Sequence, residues 1–127
     1  MREQAERWAR RKADFTKDAR PFLNVYDMKI DMEKLFVRRF DESLSDWIDF
    51  VCECRDDSQI YTAYDVIIGK VADDKVFRVV DMYHSGIWDK ERALREIRVY
   101  PAYDQIAFIT QRAIDRLLQF QNSVEVI

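Results

Sequence analysis

The chain has 127 residues, 48% hydrophobic and 35% charged, a balance that fits one globular domain with an ordinary core and argues against disorder. A formal charge of −3 gives no reason to expect nucleic-acid binding. No run approaches the ~18 apolar residues of a membrane span, so no membrane partner is expected.

Residues from about Arg2 to Phe15 read as a charged helix with a narrow apolar stripe of Ala5, Trp8, Ala9 and Phe15, ended before Pro21. Met1 to Lys12 has no apolar signal-peptide region, and the default setting is reduced and cytoplasmic. Phe22 to Ile30 predicts a strand with Phe22, Tyr26, Met28 and Ile30 on one face. Leu23 and Val25 on the other face predict cover on both sides of its first half. Leu35 to Phe40 predicts a short second strand bearing Arg38 and Arg39. Ser43 and Asp46 have capping-box spacing before a helix to about Arg55 that buries Leu44, Trp47, Ile48, Val51 and Cys52. Asp56, Asp57 and Ser58 begin a polar loop.

Val66, Ile67 and Ile68 are apolar on both faces and too short for a buried helix, which predicts an interior strand near the middle of a sheet. Asp73 and Asp74 offer caps for a helix to about Ser85 with Val76, Val79, Val80 and Tyr83 inward. Gly86 supplies a left-handed residue after that helix, and Ile87 can complete a Schellman ending. Asp89 caps a further helix carrying Ala93, Leu94 and Ile97, closed by Pro101. Gln105 to Ile109 predicts a strand and Thr110 a cap. Ala113, Ile114, Leu117, Leu118 and Phe120 then form a helical core face, and Ser123 to Ile127 a terminal strand. The order α-β-β-α-β-α-α-β-α-β is that of an α+β domain, taken as one unit over 1–127.

Chemistry-bearing patterns are sparse. Gly69 and Gly86 are the whole glycine supply, so no phosphate loop or dinucleotide fingerprint exists; Lys70 reads as a solvated strand-end residue rather than a phosphate ligand. His84, the single histidine, suits the negative end of a helix better than catalysis. Cys52 and Cys54 have neither zinc nor redox spacing and read as reduced thiols, and no metal site is expected. Asp73 and Asp74 serve as caps more simply than as an acid pair. Asp104 and Gln105 are either a turn residue with a polar strand start or groups projecting into a cleft at a sheet edge.

Two stretches resemble an uncharacterised bacterial family of the ADP-ribosyltransferase-like superfamily. They are Tyr64-Asp65-Val66-Ile67-Ile68-Gly69-Lys70-Val71-Ala72-Asp73-Asp74, and Asp104-Gln105-Ile106-Ala107-Phe108 with Thr110-Gln111. The likeness extends over Gln4 to Ala9, Asn24 to Tyr26, Trp47 to Val51 and Ser123 to Val126. It implies a split β-sandwich with flanking helices that holds NAD as substrate and passes ADP-ribose to a protein or nucleic-acid acceptor. Gln105 stands where the superfamily places an acidic residue that bonds the ribose; an amide keeps the hydrogen bond and loses the charge. The family's earlier strands, with His-Gly and Tyr-Leu-Thr motifs, have no counterpart before Gln4. The expectation is therefore an N-terminally truncated domain, inactive as it stands and associating with itself through uncovered strands. Superfamily analogy adds a toxin role. The rival reading is a non-catalytic module that keeps the fold and binds a protein partner.

Overall fold

The computed structural model describes residues 2–40, 44–70, 74–99 and 104–127. They form five α-helices, one short 3-10 helix and five strands in two sheets, a mixed α+β architecture in the predicted order. They fall into two compact units, residues 32–114 and residues 1–31 with 115–127.

In the larger unit, β2 (Val37–Arg39), β3 (Val66–Lys70) and β4 (Asp104–Phe108) form one sheet with β3 central. β2 runs parallel to β3, with Val37 beside Val66, and the chain crosses between them through α2 (Leu44–Asp56) and the 3-10 turn Ile60–Ala63. That turn follows the predicted polar loop and was not anticipated. β4 returns antiparallel, pairing Val66 with Phe108 and Gly69 with Gln105. The all-apolar start of β3 suits a strand with neighbours on both sides.

α2, α3 (Asp74–His84) and α4 (Lys90–Ile97) supply the core: Trp47 and Ile48 from the first, Val76, Val79 and Val80 from the second, Ala93 and Ile97 from the third, with Phe40 beside β2. The α3 and α4 sets sit at the three-to-four-residue spacing that puts apolar groups on one helix face. Polar pairs tie α2 to α3: Tyr83 donates to Asp49 at 2.9 Å, Arg55 meets Asp81, and His84 lies 2.7 Å from Asp56. α3 ends as its sequence requires. Gly86 takes φ +79°, its N–H bonds the Tyr83 carbonyl, and the Ile87 N–H reaches back to Met82, which is the Schellman pattern. The Ile87 side chain stays exposed rather than folding onto the helix. Asp89 caps α4 by accepting from the Arg92 N–H at 2.8 Å. The predicted caps at Ser43 and Asp73, the side chain of Asp74, and Pro101 lie outside the described residues.

In the smaller unit, β1 (Phe22–Met28) pairs antiparallel with β5 (Leu118–Glu125), from Phe22 opposite Glu125 to Met28 opposite Leu118. The register shifts between Val25 and Tyr26, leaving Gln121 as an extra residue on β5. α1 (Arg2–Asp14) has the predicted span but buries nothing; Trp8 and Phe15 are exposed. The expected two-sided cover of β1 is absent: Phe22, Val25 and Tyr26 are exposed and Leu23 is half-buried. A sheet of two strands has too few neighbours to enclose both faces.

The end of the chain also departs from expectation. α5 spans Gln111–Leu117 only, and Leu118 and Phe120 belong to β5, where Phe120 is exposed. Leu118, Phe120 and the polar residues between them alternate with a period of two, which suits a strand, and pairing with β1 overrides continuation of the helix. The predicted cap at Thr110 is present, accepting from the Ala113 N–H at 3.2 Å.

Candidate functional site: a pocket where two resembling strands meet

β3 and β4 set the geometry. Directly opposed residues of an antiparallel pair point to the same face, so Gln105 and Gly69 share one face, with Ala107 and Ile67 two residues further along. On this face lies a pocket of about 260 Å³ walled by Phe40, Trp47, Phe50, Val51 and Phe77, with Ile67, Gly69, Lys70, Gln105 and Ala107 from the sheet. Gln105 is exposed and lines a cavity to which Phe40, Trp47, Phe50 and Phe77 bring aromatic rings.

Gly69 explains how the wall comes so close. A Cβ there would lie 3.1 Å from Cδ1 of Trp47 and 3.5 Å from Cδ2 of Phe40. Trp47 and Phe40 are both buried and have little freedom to retreat. The missing side chain lets the indole lie against the strand, across from Gln105. A glycine inside a strand is the sequence signal for such close approach. Phe40 also stacks on Phe50 at 5.1 Å between ring centres, and the Arg38 guanidinium sits 4.8 Å from the Phe40 ring. Arg38 Nε is buried without a hydrogen-bond partner among the described residues.

At the mouth, Lys70 Nζ donates to Asp104 Oδ1 at 2.9 Å across the strand pair. Lys70, expected as a solvated residue, is instead largely covered and paired. Of the two readings open for Asp104 and Gln105, Asp104 is an exposed strand-start residue, and Gln105 lines the cavity.

Asp65 organises the sheet end that precedes the pocket strand. Its side chain accepts from the Phe36 N–H at 2.8 Å, from the Thr110 hydroxyl at 2.7 Å and from Arg112. Its own N–H donates to the Phe36 carbonyl, and its carbonyl accepts from Ile109. The start of β2, the end of β4 and the first turn of α5 thus converge on one buried carboxylate. The Arg112 guanidinium, with the Phe36 and Thr110 donors, holds that carboxyl down to about 2. The sequence offered only a weak signal for this role, a lone carboxylate just ahead of an all-apolar strand.

The remaining candidates have structural partners. Burial pushes Asp49 up, but its bonds from Lys90 and Tyr83 outweigh this and leave it below the usual carboxylate range. His84 is occupied by Asp56 at the end of α3. Cys52 and Cys54 are free, half-buried thiols, each raised by burial, the opposite of an activated nucleophile. Among the described residues no cluster of His, Cys, Asp and Glu has metal-binding geometry, and no helix is long and apolar enough to cross a membrane.

No curated protein and no solved structure matches the chain. A match to the family described as "Protein of unknown function (DUF3990)" spans residues 1–120, nearly the whole sequence, and the chain therefore belongs to the DUF3990 family.

Proposed function

We propose that this protein is an ADP-ribosyltransferase-like domain that acts on NAD through the β3–β4 pocket. The observation that supports the reading is convergence. The two stretches that resemble that superfamily form neighbouring strands, and the residue at the superfamily's acidic position, Gln105, faces Gly69 across them on the rim of one aromatic cavity. In this reading the Gln105 amide hydrogen-bonds a ribose hydroxyl. The bond to nicotinamide breaks with its electron pair leaving on nicotinamide, and a nucleophile of a protein acceptor takes the ribose carbon and loses its proton to water. A neutral amide positions the sugar but adds no negative charge against the oxocarbenium-like transition state.

The pocket is smaller than the ~300–1,000 Å³ usual for ligand sites, enough for one ring rather than a dinucleotide. Weak affinity follows. Titration calorimetry on the 127-residue chain is expected to give an NAD dissociation constant in or above the ~100 μM range; low-micromolar binding contradicts that expectation. In a form with measurable NAD hydrolysis, Gln105→Ala is expected to lower the rate about 10-fold or more without changing thermal stability. Gln105→Glu is expected to raise it by restoring charge at the transition state. Equal rates in all three proteins remove Gln105 from the site.

A second reading, a non-catalytic module that binds a protein partner, draws support from the smaller unit. Phe22, Tyr26, Met28 and Phe120 leave its two-stranded sheet apolar and exposed.

A further inference from the structure

The smaller unit contains an open groove of about 540 Å³ between α1 and β1. From α1 it is lined by Ala5, Trp8, Ala9 and Lys12, and from β1 by Phe22, Leu23 and Asn24 in succession. Successive residues of a strand point to opposite faces. A groove bordered by three in a row therefore follows the edge of β1. That edge is open: among the described residues β1 has one hydrogen-bonded neighbour, β5, on its other side. Its outward N–H and C=O groups lack strand partners, and Asp27 is the only charged residue along the strand. Edge strands are ordinarily blunted by charge, bulges or cover. Here the bulge lies on β5, and β1 keeps a regular edge.

We propose that this groove is a strand-addition site, in which an extended acidic and apolar segment of a partner protein pairs with the free edge of β1 beneath α1. Small side chains at Ala5 and Ala9 leave room for a backbone, and the half-exposed Trp8 indole offers an apolar wall. The charge of the lining fixes the partner's sign. It holds two cations, Lys12 and Arg20, and no carboxylate; Arg20 is neutralised by Glu125, and Lys12 lies 5.0 Å over the Trp8 ring with no ion pair among the described residues. α1 as a whole is net positive, with Arg2, Arg7, Arg10, Arg11 and Lys12 against Glu3, Glu6 and Asp14. A third strand also completes a sheet whose two strands are marginal by themselves. Backbone pairing supplies affinity, and alternate side chains and charge supply selectivity. The site is independent of the Gln105 pocket.

The test uses the full chain, at concentrations where light scattering shows monomer, and a fluorescein-labelled peptide as long as β1 that alternates valine and glutamate. Saturable binding is expected by polarisation, with slowed hydrogen exchange at alternate amides of β1. Ala5→Trp fills the groove at an exposed position and is expected to weaken binding at least 10-fold. Lys12→Glu is expected to do the same and to switch preference toward an otherwise identical valine–lysine peptide. No saturable binding, binding indifferent to both substitutions, or binding without slowed β1 amides overturns the proposal. So does self-association that Ala5→Trp abolishes, which assigns the groove to a second copy.

Discussion

Asp65 carries more of the structure than any other polar residue described, and its protonation has a definite sign. Its carboxyl is held down to about 2 in the folded chain against an ordinary value of 3.8. The stabilisation is fully present above the ordinary value and is lost as pH falls through 3.8 toward 2. Urea midpoints measured from about pH 5 down to pH 2 are expected to fall in this window. Asp65→Asn, which keeps the shape but not the charge, is expected to flatten that part of the profile and to cost ~1–3 kcal/mol at neutral pH by weakening bonds to buried donors. A wild-type profile no steeper than the variant's contradicts this role. The contrast with Gln105 shows what single residues revealed in advance. The place of Gln105 near the start of a strand was legible in the sequence, because that signal is local. The work of Asp65 depends on Phe36, Thr110 and Arg112, which come from distant parts of the chain.

Elements with strong local grammar were legible, and those decided by pairing were not. The Gly86 ending is the clearest success: a glycine after an amphipathic run predicted a left-handed residue, and φ is +79°. Gly86→Ala meets no neighbour within 4 Å, so its cost comes from the backbone alone, about 1 kcal/mol or somewhat more. Thermal unfolding of this variant should show that loss, whereas Gly86→Asn, which tolerates the conformation better, should lose less. Equal stability of all three forms contradicts the assignment. The junction of α5 and β5 is the converse. Ala113, Ile114 and Leu117 have helical spacing that runs on into Leu118, and the alternation from Leu118 to Phe120 is too short to mark the change by itself. What ends the helix is β1, a strand from near the other end of the sequence. The same dependence explains the misread cover on β1, since an apolar strand predicts burial without saying whether enough neighbours exist.

At the scale of the whole molecule, buried apolar residues are unevenly shared. The core cluster from Phe40 to Ile97 belongs to residues 32–114, whereas the smaller unit contributes only Leu117 and Val126 to the buried apolar set among the described residues. Cover is therefore short on β1, whereas Val66 of β3 is fully buried. Tyr26 and Phe120 form an exposed edge-to-face pair with ring centres 5.5 Å apart, near the exposed Phe22 and Met28. Two such faces are expected to meet at high concentration, where a net charge of −3 offers little repulsion. Light scattering should show the apparent mass rising with concentration. Replacing Tyr26 and Phe120 by serine should suppress the rise while leaving helix content unchanged. A wild-type chain that remains monomeric throughout contradicts this expectation.

The pairing of Phe22 with Glu125 also imposes an order in time. During synthesis β1 is made before the whole larger unit, and its partner β5 only after it. Until β5 is made β1 has no strand to pair with, whereas β3 finds β2 already behind it and β4 close ahead in sequence. Closing a loop that contains the whole larger unit carries an entropic cost that local pairings avoid. The β1–β5 ribbon therefore forms after the β2–β3–β4 sheet, so the nascent chain carries an apolar, hydrogen-bond-hungry strand while residues 32–114 are made, an interval in which a chaperone has reason to hold it.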